Sequence, residues 1–320
     1  MFAAYATHFD ADRPLDGLRL GERPRPEARE HWAVVRVRAA SVNHHDLWTL
    51  RGVGLRQEAL PMILGCDAAG VDEDGNEVVV HGVIGATGHG VGPDERRTLL
   101  SERYQGTLAE YVAVPRWNLL PKPPELSFAE AACLPTAWLT AYRMLFTAAG
   151  VRPGDSVLVQ GAGGGVATAA VILGTAAGLR MLVTGRDPAK RERALALGAE
   201  AALEPGERVP RPVDAVLETV GAATWRHSVR SLRPGGTLVI SGATSGQALP
   251  DAELTRLFFL ELRVVGSTMG DRDELAALLS FCQASGVRPL IDSTLPLDRA
   301  DEALARMERG DHFGKLVLTV

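Results

Sequence analysis

Hydrophobic and polar positions change their rhythm partway along the chain. In the first third, "HWAVVRVRAASV" alternates around a half-buried face, and "EDGNEVVV" offers an Asp-Gly turn feeding a β-branched strand. Residues 1–120 therefore read as mostly strands and loops. The Pro-rich "PKPPEL" at 121–126 forms a joint. Ser127 then caps a helix running through "AEAACLPTAWLTAYRMLFTAAG", which Pro135 is expected to break or kink.

From about residue 155 the texture is different. "SVLVQG" is a short apolar strand, followed by glycines and a helix through "VATAAVILGTAAG". "RMLVTG" is the next strand and "DPAKRERALALGA" the next helix. "VDAVLETVG", "TLVISGATSG" and "LRVVGSTMG" each read as an apolar strand ending in Gly or a small polar residue. Strands alternating with helices predict right-handed βαβ units in a parallel sheet, hence an α/β fold. After residue 270 come two amphipathic helices, "DELAALLSFCQASG" and "ADEALARMERG", and a last strand, "KLVLTV".

Composition narrows the function. The 320 residues suffice for two domains, and 46% are hydrophobic and 23% charged, with a net charge of −5. That mild acidity leaves no footprint for nucleic acid or an anionic membrane surface. No apolar run reaches the roughly 18 residues of a spanning helix. "MFAAYATHFD" lacks the basic and long apolar regions of a signal peptide, so a cytoplasmic location is expected. Cys66, Cys133 and Cys282 are widely spaced and odd in number, which argues against a disulfide framework.

The turn "VLVQGAGGGVATAA" (157–170) is the most informative stretch. A strand, a glycine turn and a helix N-terminus together let backbone N–H groups approach a pyrophosphate. The strict G-x-G-x-x-G spelling is absent, since its third place falls on Val166 or Thr168. Gly163, Gly164, Gly165 and Val166 are the candidates for phosphate contact; the alternative is a glycine-rich turn without a ligand. The following strand ends "VTGRDPAKR", with Gly185 and Arg186 where NAD enzymes carry an acidic residue and Lys190 and Arg191 a turn later. Arginine suits a ribose 2′-phosphate, so NADPH is expected over NADH. Asp187 either turns toward the ribose or caps the helix that Pro188 begins.

"SVNHHDLW" (41–48) sets two histidines beside an aspartate, a combination that invites a zinc reading. With "LPMILGCDAAG", "GTLAEYVAVP", "AACLPTAWLTAYRML", "VLVQGAGGGV", "ALALGAE" and "HFGKLVL", it occurs in an order and spacing that resemble the medium-chain dehydrogenases and reductases, above all the zinc-free quinone oxidoreductases. The resemblance implies a GroES-like β-rich catalytic domain at 1–124, a Rossmann NADP-binding domain at 125–269, and a return segment at 270–320 that completes the first. The family's catalytic metal ligands fall by position on Asn43, Cys66 and Thr136. Only Cys66 is a good zinc ligand, and the cysteines of the structural-zinc lobe are missing, so no metal is expected. His44 and His45, being adjacent, would point to opposite sides of an extended segment.

The resemblance also suggests roles. His45 stands at the proton-relay position, with a solvated loop histidine as the alternative; His44 stands where the family reaches the cofactor pyrophosphate. Asn43 would donate to a substrate carbonyl. Asp46 would orient a histidine or accept backbone N–H groups. Thr140 would contact the nicotinamide end or cap inward. Gly221 marks the fourth strand's crest, Gly242 and Ala243 follow the fifth, and Met269 and Gly270 resemble the backbone site for the carboxamide. The implied activity is a metal-free, NADPH-dependent oxidoreductase passing hydride to a small-molecule quinone or activated enone. Alternatives are an alcohol or aldehyde dehydrogenase with an atypical Cys66 metal site, and a non-catalytic NADPH-binding protein. A homodimer is expected through the edge strand "LRVVGST". Residues 50–60 and 85–105 are expected to line or cover the substrate pocket.

Overall fold

The computed structural model describes residues 1–85, 97–249 and 251–320. Part of the expected pocket segment 85–105 therefore lies outside the described residues. The chain divides into two compact units. One comprises Met1–Ala137 with Asp271–Val320, the other Trp138–Gly270.

The second unit is built on a six-stranded sheet. Its strands run, in spatial order, Ala201–Leu203, Arg180–Thr184, Ser156–Val159, Val213–Glu218, Leu232–Ile240 and Arg263–Gly266. Every neighbouring pair is parallel. In chain order this is 3-2-1-4-5-6, the doubly wound arrangement whose strand order reverses beside the first strand. Leu158, Leu182, Val216 and Leu238 form a core with Trp225 and Val229 of the helix Trp225–Ser231. Sequence reading missed the strand Ala201–Leu203, which has three residues and no long apolar run to mark it.

In the first unit, the long strand Trp32–Ser41 organises the main sheet. It pairs antiparallel with Asp67–Val71, with Tyr111–Pro115 and with the last strand, Lys315–Thr319. These registers set Ser41 opposite both Asp67 and Val317. The return segment thus enters the N-terminal sheet as a neighbour of residues 39–41. Leu47, Leu50, Leu304, Leu316 and Leu318 share the core beneath this sheet.

Ser127 caps Phe128–Ala131 in a capping box with Glu130. Pro135 neither ends the helical path nor leaves it regular. Wide π-type turns cover Leu134–Trp138, a short α-helix follows at Leu139–Tyr142, and π-type turns continue over Arg143–Ala149. A proline lacks the N–H that closes a normal turn, and a locally wider turn accommodates the loss. Gly150 then closes the path in the left-handed region, at φ 68°.

Candidate active site

The segment 43–46 is not extended, as its sequence suggested. Asn43 is the N-cap of a helix His44–Leu50, and the Asp46 carboxylate accepts the Asn43 backbone N–H at 2.8 Å. Successive helix residues are turned by about 100°, not opposed. His44 accordingly lies exposed while His45 turns inward. The other Asp46 oxygen accepts the Gly65 N–H at 2.9 Å. Both oxygens of this fully buried carboxylate thus serve the backbone, and burial raises its pKa above the usual value. Asp46 ties the start of the helix to the turn before Cys66; its hydrogen bonds reach no histidine ring.

Strand register brings a buried polar cluster together beside this cap. Asp67 lies opposite Ser41, and Lys315 begins the strand on the other side. Asp67 Oδ2 accepts from Ser41 Oγ at 2.7 Å, from Asn43 Nδ2 at 2.8 Å and from Lys315 Nζ at 3.3 Å. Lys315 Nζ also donates to Asn43 Oδ1 at 2.6 Å and to the Val42 carbonyl at 3.0 Å. The lysine's three donors are all engaged, and so are both ends of the Asn43 carboxamide. This departs from the expected role of Asn43 as a donor to a substrate carbonyl. The amide is oriented inward, between an ammonium and a carboxylate.

His45 belongs to a second cluster. Its Nε2 lies 3.1 Å from Glu102 Oε1, and its Nδ1 lies 3.3 Å from Cys66 Sγ and 3.4 Å from Ser101 Oγ. The Cys66 S–H donates to the Leu100 carbonyl at 3.2 Å, leaving the sulfur to accept from the ring. Each ring nitrogen can therefore carry a proton toward an acceptor. Burial opposes the imidazolium, but its hydrogen bonds to the Cys66 sulfur and the Glu102 carboxylate, with the nearby Asp46 charge, outweigh it, and the pKa is raised well above the ordinary histidine value. Glu102 responds in kind: burial opposes its charge, yet the His45 hydrogen bond and the Leu99 N–H bring its pKa down. Burial pushes the Cys66 thiol up, so the sulfur stays protonated at neutral pH. Ser101 holds this corner in a left-handed conformation, φ 65°, unusual for a non-glycine residue.

The glycine turn lies in the second unit. The strand Ser156–Val159 leads through Gly161, at φ 103°, to the N-cap Gly164 and the helix Gly165–Ala176. A Cβ added at Gly164 would meet no atom within 4 Å, although its backbone is ordinary extended chain. No protein neighbour requires glycine there; the space it leaves is open toward the unpaired first-turn N–H groups. Gly163 is buried, Gly165 and Val166 partly exposed. At Gly185 the requirement is internal, because a Cβ would come within 3.0 Å of Ala162. Asp187 accepts the Ala189 N–H at 2.9 Å and caps the helix Pro188–Ala196, which resolves its two alternatives toward the cap. Arg186 is exposed and Lys190 half-buried, while Arg191 is tied to the Gly185 carbonyl and to Glu204. Gly221, at φ 91°, packs against Ala243, and Gly242 lies over Thr219. Thr140 and Met269 are buried, and Gly270 ends this unit.

Comparison with known proteins places this architecture. Residues 29–124 match the alcohol dehydrogenase GroES-like domain, and residues 197–318 match a zinc-binding dehydrogenase domain. A solved NAD-dependent alcohol dehydrogenase is 33% identical and superposes with a TM-score of 0.90, each chain covered in full. The quinone oxidoreductase of Thermus thermophilus, solved also in complex with NADPH, is 33% identical with a TM-score of 0.80, again over the whole of both chains. Crotonyl-CoA reductase of Streptomyces collinus is 28% identical over 99% of this chain and 84% of its own length. The chain belongs to the medium-chain dehydrogenase/reductase superfamily.

Membership makes it an NAD(P)-dependent oxidoreductase in outline. The residues present fit the nucleotide: the open cradle at Gly164 and the exposed Arg186 suit phosphate groups. They do not fit a catalytic zinc. The Asn43 amide is engaged by Lys315 and Asp67, and the Cys66 S–H by the Leu100 carbonyl. His45, Cys66 and Glu102 do not converge on one point, since the ring offers them different nitrogens. Among the described residues, no group of three or more His, Cys, Asp or Glu side chains is arranged to hold a metal.

Sequence reasoning overlooked Lys315, Ser101 and Glu102 as parts of the site. The local signal for Lys315 is a lysine opening an apolar final strand, in "HFGKLVL". Nothing local distinguishes Glu102 within "SERYQG".

Proposed function

We propose that this protein is a zinc-independent, NADPH-dependent reductase that delivers hydride to a quinone or an activated enone. The observation that carries the proposal is the Lys315–Asn43–Asp67 cluster, which puts an ammonium and a locked amide where a metal-dependent relative needs a ligand. A conjugated acceptor takes hydride with less electrophilic help than a simple ketone, so a site without a Lewis acid favours it. The names of two relatives, a quinone oxidoreductase and a crotonyl-CoA reductase, support the same class. The nicotinamide, when bound, supplies the hydride.

The chain's own residues orient and protonate. Arg186 is assigned to the 2′-phosphate, with Lys190 a turn later, and Gly163, Gly164, Gly165 and Val166 to the pyrophosphate, with His44 reaching the same group. Thr140, Gly221, Gly242, Ala243, Met269 and Gly270 are assigned to the nicotinamide half. His45 is the proposed proton carrier, recharged through the partly exposed Glu102 carboxylate. Asn43 and Asp46 keep that histidine's helix in place. A cytoplasmic homodimer, paired along Arg263–Gly266, completes the proposal; among the described residues no helix is long and apolar enough to cross a membrane.

The test is NADPH oxidation with 1,4-benzoquinone and with a conjugated enone, in excess chelator. Turnover unaffected by the chelator is expected. Activity that needs added zinc, or appears only with simple alcohols and aldehydes, would overturn the proposal.

A further inference from the structure

Away from the His45 cluster, the first unit carries a cavity of about 650 Å³ lined by arginines and aromatic rings. Its wall is the loop "RPRPEAREH" (23–31), between the strands Leu18–Glu22 and Trp32–Ser41. Pro24 and Pro26 fix φ on either side of Arg25, so this loop holds its arginines at a reduced entropic cost. Each of four guanidinium groups rests on a ring: Arg23 on Tyr5 at 5.0 Å, Arg25 on Tyr111 at 3.9 Å, Arg29 on Trp32 at 5.2 Å and Arg103 on Tyr104 at 5.7 Å. Trp32 and Tyr104 themselves pack 5.0 Å apart. A ring beneath a guanidinium offers it no hydrogen-bond acceptor in its plane, so the N–H donors stay available to oxyanions.

What these arginines lack is acceptors. Among the described residues none of the four forms an ion pair, whereas Arg116 in the same unit holds both Glu73 and Asp74. Arg23 Nε is buried without any hydrogen-bond partner. An unpaired buried donor is unfavourable, and a bound acceptor would satisfy it. Glu27 is the carboxylate on the lining, so the positive charges outnumber it, in a chain whose net charge is −5. The volume falls within the range of small-molecule sites and is too confined for a duplex.

We infer that this groove is a second ligand site, taking a small molecule with two or more clustered phosphate groups. The chemistry is bidentate pairing of Arg edges with phosphate oxygens, independent of hydride transfer and of the Arg186 site.

Calorimetric titration of the whole protein with tripolyphosphate, at about 0.15 M ionic strength, tests it. One-to-one binding at this groove is expected, weakened at least tenfold in the double variant Arg25→Ala/Arg29→Ala and unchanged in Arg116→Ala, whose guanidinium is already held by Glu73 and Asp74. Both substituted side chains are exposed, so the variant should fold; circular dichroism and an unchanged melting temperature check this. Absence of binding in the wild type, equal binding by the double variant, or an equal loss in Arg116→Ala would each overturn the inference. So would a single-stranded oligonucleotide that binds through Arg25 and Arg29 more tightly than tripolyphosphate, because the groove would then be a nucleic-acid surface.

Discussion

Lys315 Nζ lies 2.6 Å from Asn43 Oδ1, across 272 residues of sequence. The contact closes the first unit, because the last strand inserts beside Trp32–Ser41 and carries its lysine into the interior at the helix cap. Lys315→Met removes the ammonium but leaves Asp67 fully buried, with one oxygen already lacking a partner. Breaking a buried pair in this way costs about 3–5 kcal/mol. Urea denaturation should show that loss, and adding Asp67→Asn should restore part of it, since the stranded charge is then gone. A loss below about 1 kcal/mol would mean the pair is more solvated than its burial indicates.

Why Lys315 escaped sequence reading, while the nucleotide-binding half was legible, is a matter of range. The six-stranded sheet rests on local signals: apolar runs such as "SVLVQG" and "RMLVTG", each ended by glycine, and helices between them. Asp187 with Pro188 announced its own cap. The Lys315 and Glu102 contacts depend on strand register and loop return, which no local window contains. The helix at 44–50 is an intermediate case. Asn43 with Asp46 three residues on is a capping-box pattern, but the two histidines between them carry no helix signal of their own.

The His45–Glu102 pair should make stability depend on pH in two directions. His45 has a raised pKa in the fold, so its contribution is fully present below the unfolded value of 6.5 and is lost as pH rises through the folded one. Glu102 has a lowered pKa, so its contribution is present above 4.5 and is lost as pH falls through the folded value. Glu102→Gln should therefore be most destabilising between these limits, by about 1–2 kcal/mol, and should lower the His45 pKa measured by imidazole NMR. If His45 carries the reaction's proton, the alkaline limb of turnover shifts to lower pH in the same variant. An unmoved His45 titration would show that Glu102 does not hold its charge.

Cofactor choice should turn on Arg186. Asp187 accepts the Ala189 N–H as a helix cap, and the exposed Arg186 guanidinium is the proposed phosphate partner. Arg186→Ala should weaken NADPH binding by roughly tenfold to a hundredfold, the worth of a charge-assisted pair, and leave NADH nearly unchanged. Fluorescence titration with both nucleotides checks this. Equal losses for the two would assign Arg186 to the pyrophosphate or to folding instead.

Association should depend on the far edge of the parallel sheet. Among the described residues Arg263–Gly266 pairs on one side only, with Leu232–Ile240, and its other edge is open to pairing. Beside it the helix Leu254–Phe259 exposes Leu254, Phe258 and Phe259, the last at 77%, and Val264 adds to the apolar surface. Pairing of the edge with its two-fold mate would continue the sheet and cover these rings together, because an isologous contact presents the same patch twice. The wild type should sediment as a dimer at micromolar concentration. Phe259→Asp puts two like charges near the two-fold axis and should shift the population to monomer without unfolding the chain. A monomeric wild type, or a Phe259→Asp dimer as stable as the parent, would remove this edge as the interface.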